Sequence, residues 1–254
     1  LPPSLRKRMS RLAGKVVGAF AVKERTIFID RTQAWERQRF THGHELGHQG
    51  LPWHAASYYA DDHHTLNHDT HLQLEAEASA YSAELLFSGR EFTDRAHSSR
   101  LGLALPLGLA DEFETSRQAA IRRYVEDSPR PCALIVFGRY LVHPNGKRSL
   151  KVLSVIESAT FTEKYGSAAA LVPTTFVIGE AGLAADAYTA LTGHGEAPVL
   201  DGQHVLLDSR RGTVALNYEV YSNTYFAFGL LYPRQRITLQ RRVSAAWTTK
   251  SAFN

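Results

Sequence analysis

Cysteine is nearly absent from this chain: Cys132 is the only one among 254 residues. A lone thiol excludes a disulfide framework and a thiolate metal cluster. A reducing, cytoplasmic setting is therefore expected, and any metal must sit on His, Asp or Glu. Methionine is as scarce, with Met9 the single example. Long apolar runs are missing too. No stretch reaches the roughly 18 residues of a membrane-crossing helix, and no apolar signal region follows the basic start from Leu1 to Lys15. Neither a membrane partner nor export is expected.

What is present is globular. Hydrophobic residues make up 44% of the chain, enough for packed cores. The net charge of +4 gathers at the two ends. Arg6, Lys7, Arg8, Arg11 and Lys15 precede the first acid, and Arg234, Arg236, Arg241, Arg242 and Lys250 follow the last. Such ends suit solvated termini or contact with an acidic partner.

The pattern along the chain changes twice. Val16 to Val22 and Thr26 to Ile29 read as a strand hairpin around Lys23-Glu24-Arg25. From Thr32 to about Gly50 the spacing of Trp35, Phe40 and Leu46 is helical, and after a polar, His-rich loop a second helix runs from about Leu72 to Phe87. Leu107 to Phe113 and Ser116 to Glu126 have the periodicity of a helix-turn-helix, with Ser116 as N-cap. Beyond Pro129 and Pro131 the chain is mostly strand-like: Cys132 to Phe137, Leu150 to Ile156, Leu171 to Ile178, Val205 to Leu207, Thr213 to Leu216 and Thr224 to Leu231. One Ala-rich helix, from about Leu183 to Leu191, interrupts them. The fold class expected is α+β.

Chemistry is concentrated in His44-Glu45-Leu46-Gly47-His48. Histidines four apart on a helix project from one face and can grip one ion, and the intervening Glu45 can reach a water beside that ion instead. Zinc suits imidazole ligands, and manganese tolerates the same donors with a carboxylate added. Glu45 would then act as general base and later as general acid.

Several residues compete for the third ligand position. His54 lies six residues past His48, the metzincin spacing, but Leu51 stands where that arrangement needs glycine and no methionine follows the motif. Asp61, Asp62, His63, His64, His68 and Asp69 form a polar cluster. Glu75 and Glu77 lie on the second helix about 200° apart, so only one of them can face the ion, and periodicity does not choose. Tyr58, Tyr59, His63, His64 and Tyr81 are candidates to stabilise an oxyanion.

Arg39-Phe40-Thr41-His42-Gly43-His44-Glu45-Leu46-Gly47-His48, followed by Glu75-Ala76-Glu77-Ala78-Ser79-Ala80-Tyr81-Ser82-Ala83-Glu84-Leu85-Leu86, resembles the ImmA/IrrE family of metallopeptidases. The resemblance implies Glu75 as the third ligand beside His44 and His48, with Glu45 catalytic. The chain departs from the family at Ser79, where Asn or Asp is usual, at Tyr81 for Phe, and at Phe87-Ser88 for Met-Pro. The resemblance further implies three parts. These are a zincin-like zinc metallopeptidase domain over 1–89, a helix-turn-helix unit over 90–128 and a GAF-like α/β sensor domain over 129–254, the last with a small-molecule signal as candidate ligand. The partner it implies is a protein substrate, a helix-turn-helix repressor of the DdrO type. Its cleavage would release genes of a DNA-damage or radiation response.

An alternative makes the chain a DNA-binding regulator acting through residues 106–128. Against it, Arg117, Arg122 and Arg123 face Asp111, Glu112, Glu114, Glu126 and Asp127, a local net charge of −2. A phosphate-binding surface should be basic.

Overall fold

The computed structural model describes residues 18–21, 26–54, 68–193, 199–209 and 212–233. The basic ends, and the Asp61 to His64 cluster with Tyr58 and Tyr59, lie outside these residues.

The first described elements are two antiparallel strands, β1 (Gly18–Ala21) and β2 (Thr26–Ile29), with Gly18 opposite Ile29. Asp30 closes the turn that follows, its carboxylate accepting from the backbone N–H and hydroxyl of Thr32 and from the Gln33 amide. That local bonding ends the strand and frees the backbone to enter α1 (Trp35–Gly50). The next described helix, α2 (His68–Leu86), starts four residues before the expected Leu72.

Helices α1 and α2 pack antiparallel: Gly47 lies against Ala78, His44 against Ser79, and Ser82 donates to the Phe40 carbonyl at 2.8 Å. Gly47 makes the close approach feasible, because a Cβ there would sit 3.0 Å from the Ala78 Cα. The second helix can thus lay its side chains across the histidine face of the first.

Three helices follow: α3 (Glu91–Ala96), α4 (Ala104–Glu112) and α5 (Arg117–Glu126). Ser116 caps α5 as its type suggests, accepting the Ala119 N–H at 3.2 Å. Six antiparallel strands then form one sheet in the order β5-β4-β3-β8-β7-β6. They are β3 (Ala133–Val142), β4 (Arg148–Glu157), β5 (Thr175–Val177), β6 (Leu200–Ser209), β7 (Gly212–Ser222) and β8 (Ala227–Pro233). The architecture is therefore mixed helix and sheet, as the pattern suggested.

Both faces of the sheet centre are covered, which explains why Ala133 to Phe137 is a continuous apolar run rather than an alternating one. Leu134, Val136, Phe228 and Leu230 pack with Phe92, Ile121, Tyr124 and Val125 of the helical unit. Ala133, Ile135, Phe137 and Leu231 face Phe161, Leu183 and Ala187 on the other side. Those last residues belong to α6 (Ala159–Tyr165) and α8 (Leu183–Thr192).

The expected strand from Leu171 to Ile178 divides instead. Its first residue ends a short helix, α7 (Ala168–Leu171), and only Thr175–Val177 forms a strand. Pro173 explains the break, since it forces the preceding Val172 out of the helical region to φ −91°, ψ 126°. Helix α6 was not foreseen; Ser158 caps it by accepting the Phe161 N–H. Among the described residues no helix is long and apolar enough to cross a membrane.

Candidate metal centre

Three donor side chains converge where α1 crosses α2. His44 Nε2 lies 3.2 Å from His48 Nε2 and 3.1 Å from Glu75 Oε2, and His48 Nε2 lies 3.5 Å from Glu75 Oε1. The helical repeat supplies the two histidines from one face of α1, and the antiparallel crossing supplies Glu75 from α2. One ligand atom from each lies within 4.8 Å of the others.

The donor spacing can be tested against a metal. Tetrahedral zinc with nitrogen and oxygen at about 2.0–2.1 Å separates its ligand atoms by about 3.3 Å. The two histidine nitrogens are 3.2 Å apart, and the Glu75 carboxylate places one oxygen 3.1 Å from His44 and the other 3.5 Å from His48, all close to that value. Three protein donors are the number that catalytic zinc sites use, with the fourth position taken by water or substrate. These residues fit a divalent ion.

Electrostatics agree with a site arranged for charge. Hydrogen bonding from His44, the largest cause, pulls the Glu75 carboxyl far below its usual range, so this carboxylate is ionised across neutral pH. The same Glu75 contact raises His44 above its ordinary value, against an opposing burial effect. Without a metal, the carboxylate and the imidazole therefore hold one another as an ion pair.

Ser79, the departure from the family pattern, has a place in this geometry. Its Oγ lies 3.3 Å from His44 Nδ1, on the ring nitrogen opposite the one that faces Glu75. A hydroxyl there can orient the His44 ring.

Glu45 is buried on the same helix, beneath β1. A Cβ on Gly18 would lie 2.2 Å from the Thr41 Cγ2 and 3.0 Å from the Glu45 Oε1. Glycine at this position lets β1 lie directly on the Glu45 carboxylate.

The other ligand candidates are placed elsewhere. His54 is fully buried beside His48 and is not in the three-donor cluster. Glu77 points to the other side of α2, where hydrogen bonds from Trp53, Gln73 and His54 hold its carboxyl down to about 2. His68 and Asp69 stand exposed at the start of α2. Tyr81 packs its ring along Gly47 and Gly50 of α1. The second contact of His48, to His54, was not anticipated. A spacing of six beyond a helical histidine suggests a ligand, and only the turn through Leu51 to His54 reveals that it lands behind the ligand.

Comparison with known proteins gives one family match: residues 6–124 match the family Peptidase_M78, described as the IrrE N-terminal-like domain. Among solved structures, the chain is similar to a Mycobacterium tuberculosis transcriptional regulator. Identity is 13% and the TM-score 0.49, covering 86% of this chain and 72% of that one. No curated protein matches the chain.

Proposed function

Because residues 6–124 carry the IrrE N-terminal-like domain of the ImmA/IrrE metallopeptidase family, we propose that this chain is a site-specific metalloendopeptidase that cleaves a helix-turn-helix transcriptional repressor. In this reading His44, His48 and Glu75 hold zinc, with manganese an acceptable substitute, and Glu45 is the catalytic base. The observation that carries it is the convergence of those three donors, one ligand atom of each within 4.8 Å of the others, with the buried Glu45 on the same helix as the two histidines.

The ion supplies Lewis acidity, acidifying water and polarising a carbonyl. The chain's own residues do the rest. Glu45 Oε accepts a proton from the attacking water and returns it to the leaving amine nitrogen as the peptide C–N bond breaks, so that one water is consumed per bond. His44, His48 and Glu75 would hold that ion where α1 and α2 meet. The substrate pairs as an extended segment with the hairpin near residues 25–30. Among the described residues each hairpin strand pairs only with the other, and a substrate strand would add at an edge of that pair.

The three-part division at 89 and 128 belongs to the same proposal. The six-stranded antiparallel sheet covered by helices supports reading residues 129–254 as a GAF-like sensor domain for a small-molecule signal. The order of parts is similar to that of the Deinococcus radiation-response regulator IrrE. That likeness is the ground for proposing a DdrO-type substrate, a DNA-damage or radiation response as the output, and a cytoplasmic site of action.

The DNA-binding alternative is weakened by what its arginines do. Arg123 pairs with Glu84 of α2 at 2.6 Å, Arg122 with Glu126 at 2.8 Å, and Arg117 contacts Tyr221 and Asp111. Ala120, Ile121, Tyr124 and Val125 of the would-be recognition helix are buried against the sheet.

The test is incubation of the protein, with zinc or manganese, with a purified helix-turn-helix repressor from the same genome, read by mass spectrometry. Discrete cleavage by the wild type and none by Glu45→Gln supports the proposal. Intact repressor under both metals overturns it.

A further inference from the structure

Behind the three donors lies a second polar row that the metal reading does not use. His54 has no exposed side-chain surface. It is brought inward by a turn after α1, in which the Leu51 N–H bonds to the Gly47 carbonyl and the His54 N–H to the Leu51 carbonyl, both at 3.0 Å. Its Nδ1 lies 2.9 Å from His48 Nδ1, and its Nε2 lies 3.0 Å from Glu77 Oε2. Glu77 is fixed in turn by Trp53 Nε1 and by Gln73 Nε2.

The chemistry of the row fixes its direction. An ionised carboxylate only accepts, so His54 Nε2 must carry the hydrogen that Glu77 receives. A neutral imidazole has one donor and one acceptor, so His54 Nδ1 is then bare. The 2.9 Å contact next to it requires His48 Nδ1 to donate. With its proton on Nδ1, His48 has an unprotonated Nε2, the atom that faces His44 and Glu75. A carboxylate two contacts away thereby selects the tautomer of the ligand.

Resting on the metal site above, we propose that His54 and Glu77 are positioning residues that lock His48 as an Nε2 ligand through a Glu77–His54–His48 hydrogen-bond row. The short-range version of this device is a carboxylate bonded directly to a ligand histidine; here a second histidine carries it one step further. Ser79 performs the corresponding task for His44 with a single hydroxyl. The two ligand histidines thus differ in support, His48 being held in a buried row and His44 by one longer contact.

The experiment uses the full chain and does not depend on turnover. In metal-free wild type with ¹⁵N-labelled histidine, the ring-nitrogen resonances of His48 should show a protonated Nδ1 and a bare Nε2. His54→Phe should convert that to a mixture of tautomers. Zinc affinity, measured by competition with a chromophoric chelator, should fall about 10- to 100-fold in His54→Phe and in Glu77→Ala. It should recover in His54→Asn, whose amide oxygen can accept from His48, and in Glu77→Gln, whose amide oxygen can accept from His54. The unfolding midpoint of each metal-free variant is measured alongside.

If His54 and Glu77 only pack, affinity will follow metal-free stability and His54→Asn will be no better than His54→Phe. That result, or a His48 protonated on Nε2 in the wild type, overturns the proposal. A wild type that binds no zinc while His48 shows the expected tautomer would instead overturn the metal site on which the proposal rests, and the tautomer spectrum tells the two failures apart.

Discussion

Arg39 Nη1 donates to the backbone carbonyl of Phe113 at 2.6 Å. The same guanidinium reaches the Glu114 carbonyl at 2.8 Å and its carboxylate at 3.3 Å. Arg39 stands five residues before His44 on α1, and Phe113 is where α4 stops. One side chain therefore ties the helix bearing the histidines to the end of a helix in the middle unit, and Arg123 to Glu84 makes a second tie between α5 and α2. Glu219 of β7 accepts the Leu103 N–H at 2.7 Å and the Tyr232 hydroxyl at 2.8 Å, joining the middle unit to the sheet.

Arg39→Met should test the first of these ties. The aliphatic stem is kept, while the Phe113 and Glu114 carbonyls lose their donor. A loss of about 1–3 kcal/mol in unfolding free energy is expected from orphaned polar groups and a broken charged hydrogen bond. Zinc affinity should stay close to that of the wild type, because no donor moves. Denaturant titration and chelator competition measure the two quantities separately; a large loss of affinity with unchanged stability would contradict this account.

Much of this arrangement was readable in advance, and the part that was not has a physical reason. His44 and His48 come together through helix periodicity alone, a local relation that spacing expresses. Glu75 and Glu77 do not separate by periodicity, because both sit on a helix whose facing depends on where it crosses α1. That crossing is set by the close approach of Gly47 to Ala78 and by what Trp53, Gln73 and His54 do with Glu77. The Glu219 to Leu103 contact spans more than a hundred residues, and no local pattern encodes it. In the sheet, apolar runs marked β3, β4 and β8, whereas the Leu171 to Ile178 run was misread as one strand because Pro173 was not weighed.

Gly18→Ala should separate the base from the ligands. Its new methyl would meet Thr41 and crowd Glu45, so β1 or the Glu45 side chain has to shift. The three nearest atoms it meets belong to Thr41 and Glu45, not to His44, His48 or Glu75. Peptide hydrolysis should drop at least tenfold, given the sensitivity of proton transfer to sub-ångström placement, with metal stoichiometry unchanged. Equal loss of both would show that the hairpin supports the metal site as well.

The Glu75–His44 pair predicts a pH signature in the metal-free protein. His44 is raised above its model-peptide value of 6.5, so its stabilising contribution is full below that pH and fades as pH rises through the raised value. Glu75 is depressed from 4.5, so its contribution is full above that pH and is lost only in strong acid. The pair should therefore stabilise most between about 4.5 and 6.5 and weaken above that. Glu75→Gln should flatten the fall of the unfolding midpoint measured from pH 6 to pH 9. Zinc binding should strengthen over the same rise, because the ion displaces the His44 proton. A wild-type midpoint that parallels the Glu75→Gln variant over that span would remove the ion pair from the account.

Glu45→Gln and Glu75→Ala divide the proposed roles most directly. Gln keeps the size and hydrogen-bonding shape of Glu45 but cannot take a proton, so zinc should remain bound at one per chain. Hydrolysis should fall by about 10²- to 10⁴-fold, the range for loss of a general base. Removing Glu75 takes away one of three donors and the charge that holds His44, so zinc should be lost first and activity with it. Adding excess zinc should then restore part of the activity of Glu75→Ala and none of that of Glu45→Gln. Metal content by mass spectrometry under native conditions and cleavage of the same repressor substrate give both readouts on one sample. If Glu75→Ala retains full zinc while Glu45→Gln loses it, the roles of the two carboxylates are the reverse of those assigned here.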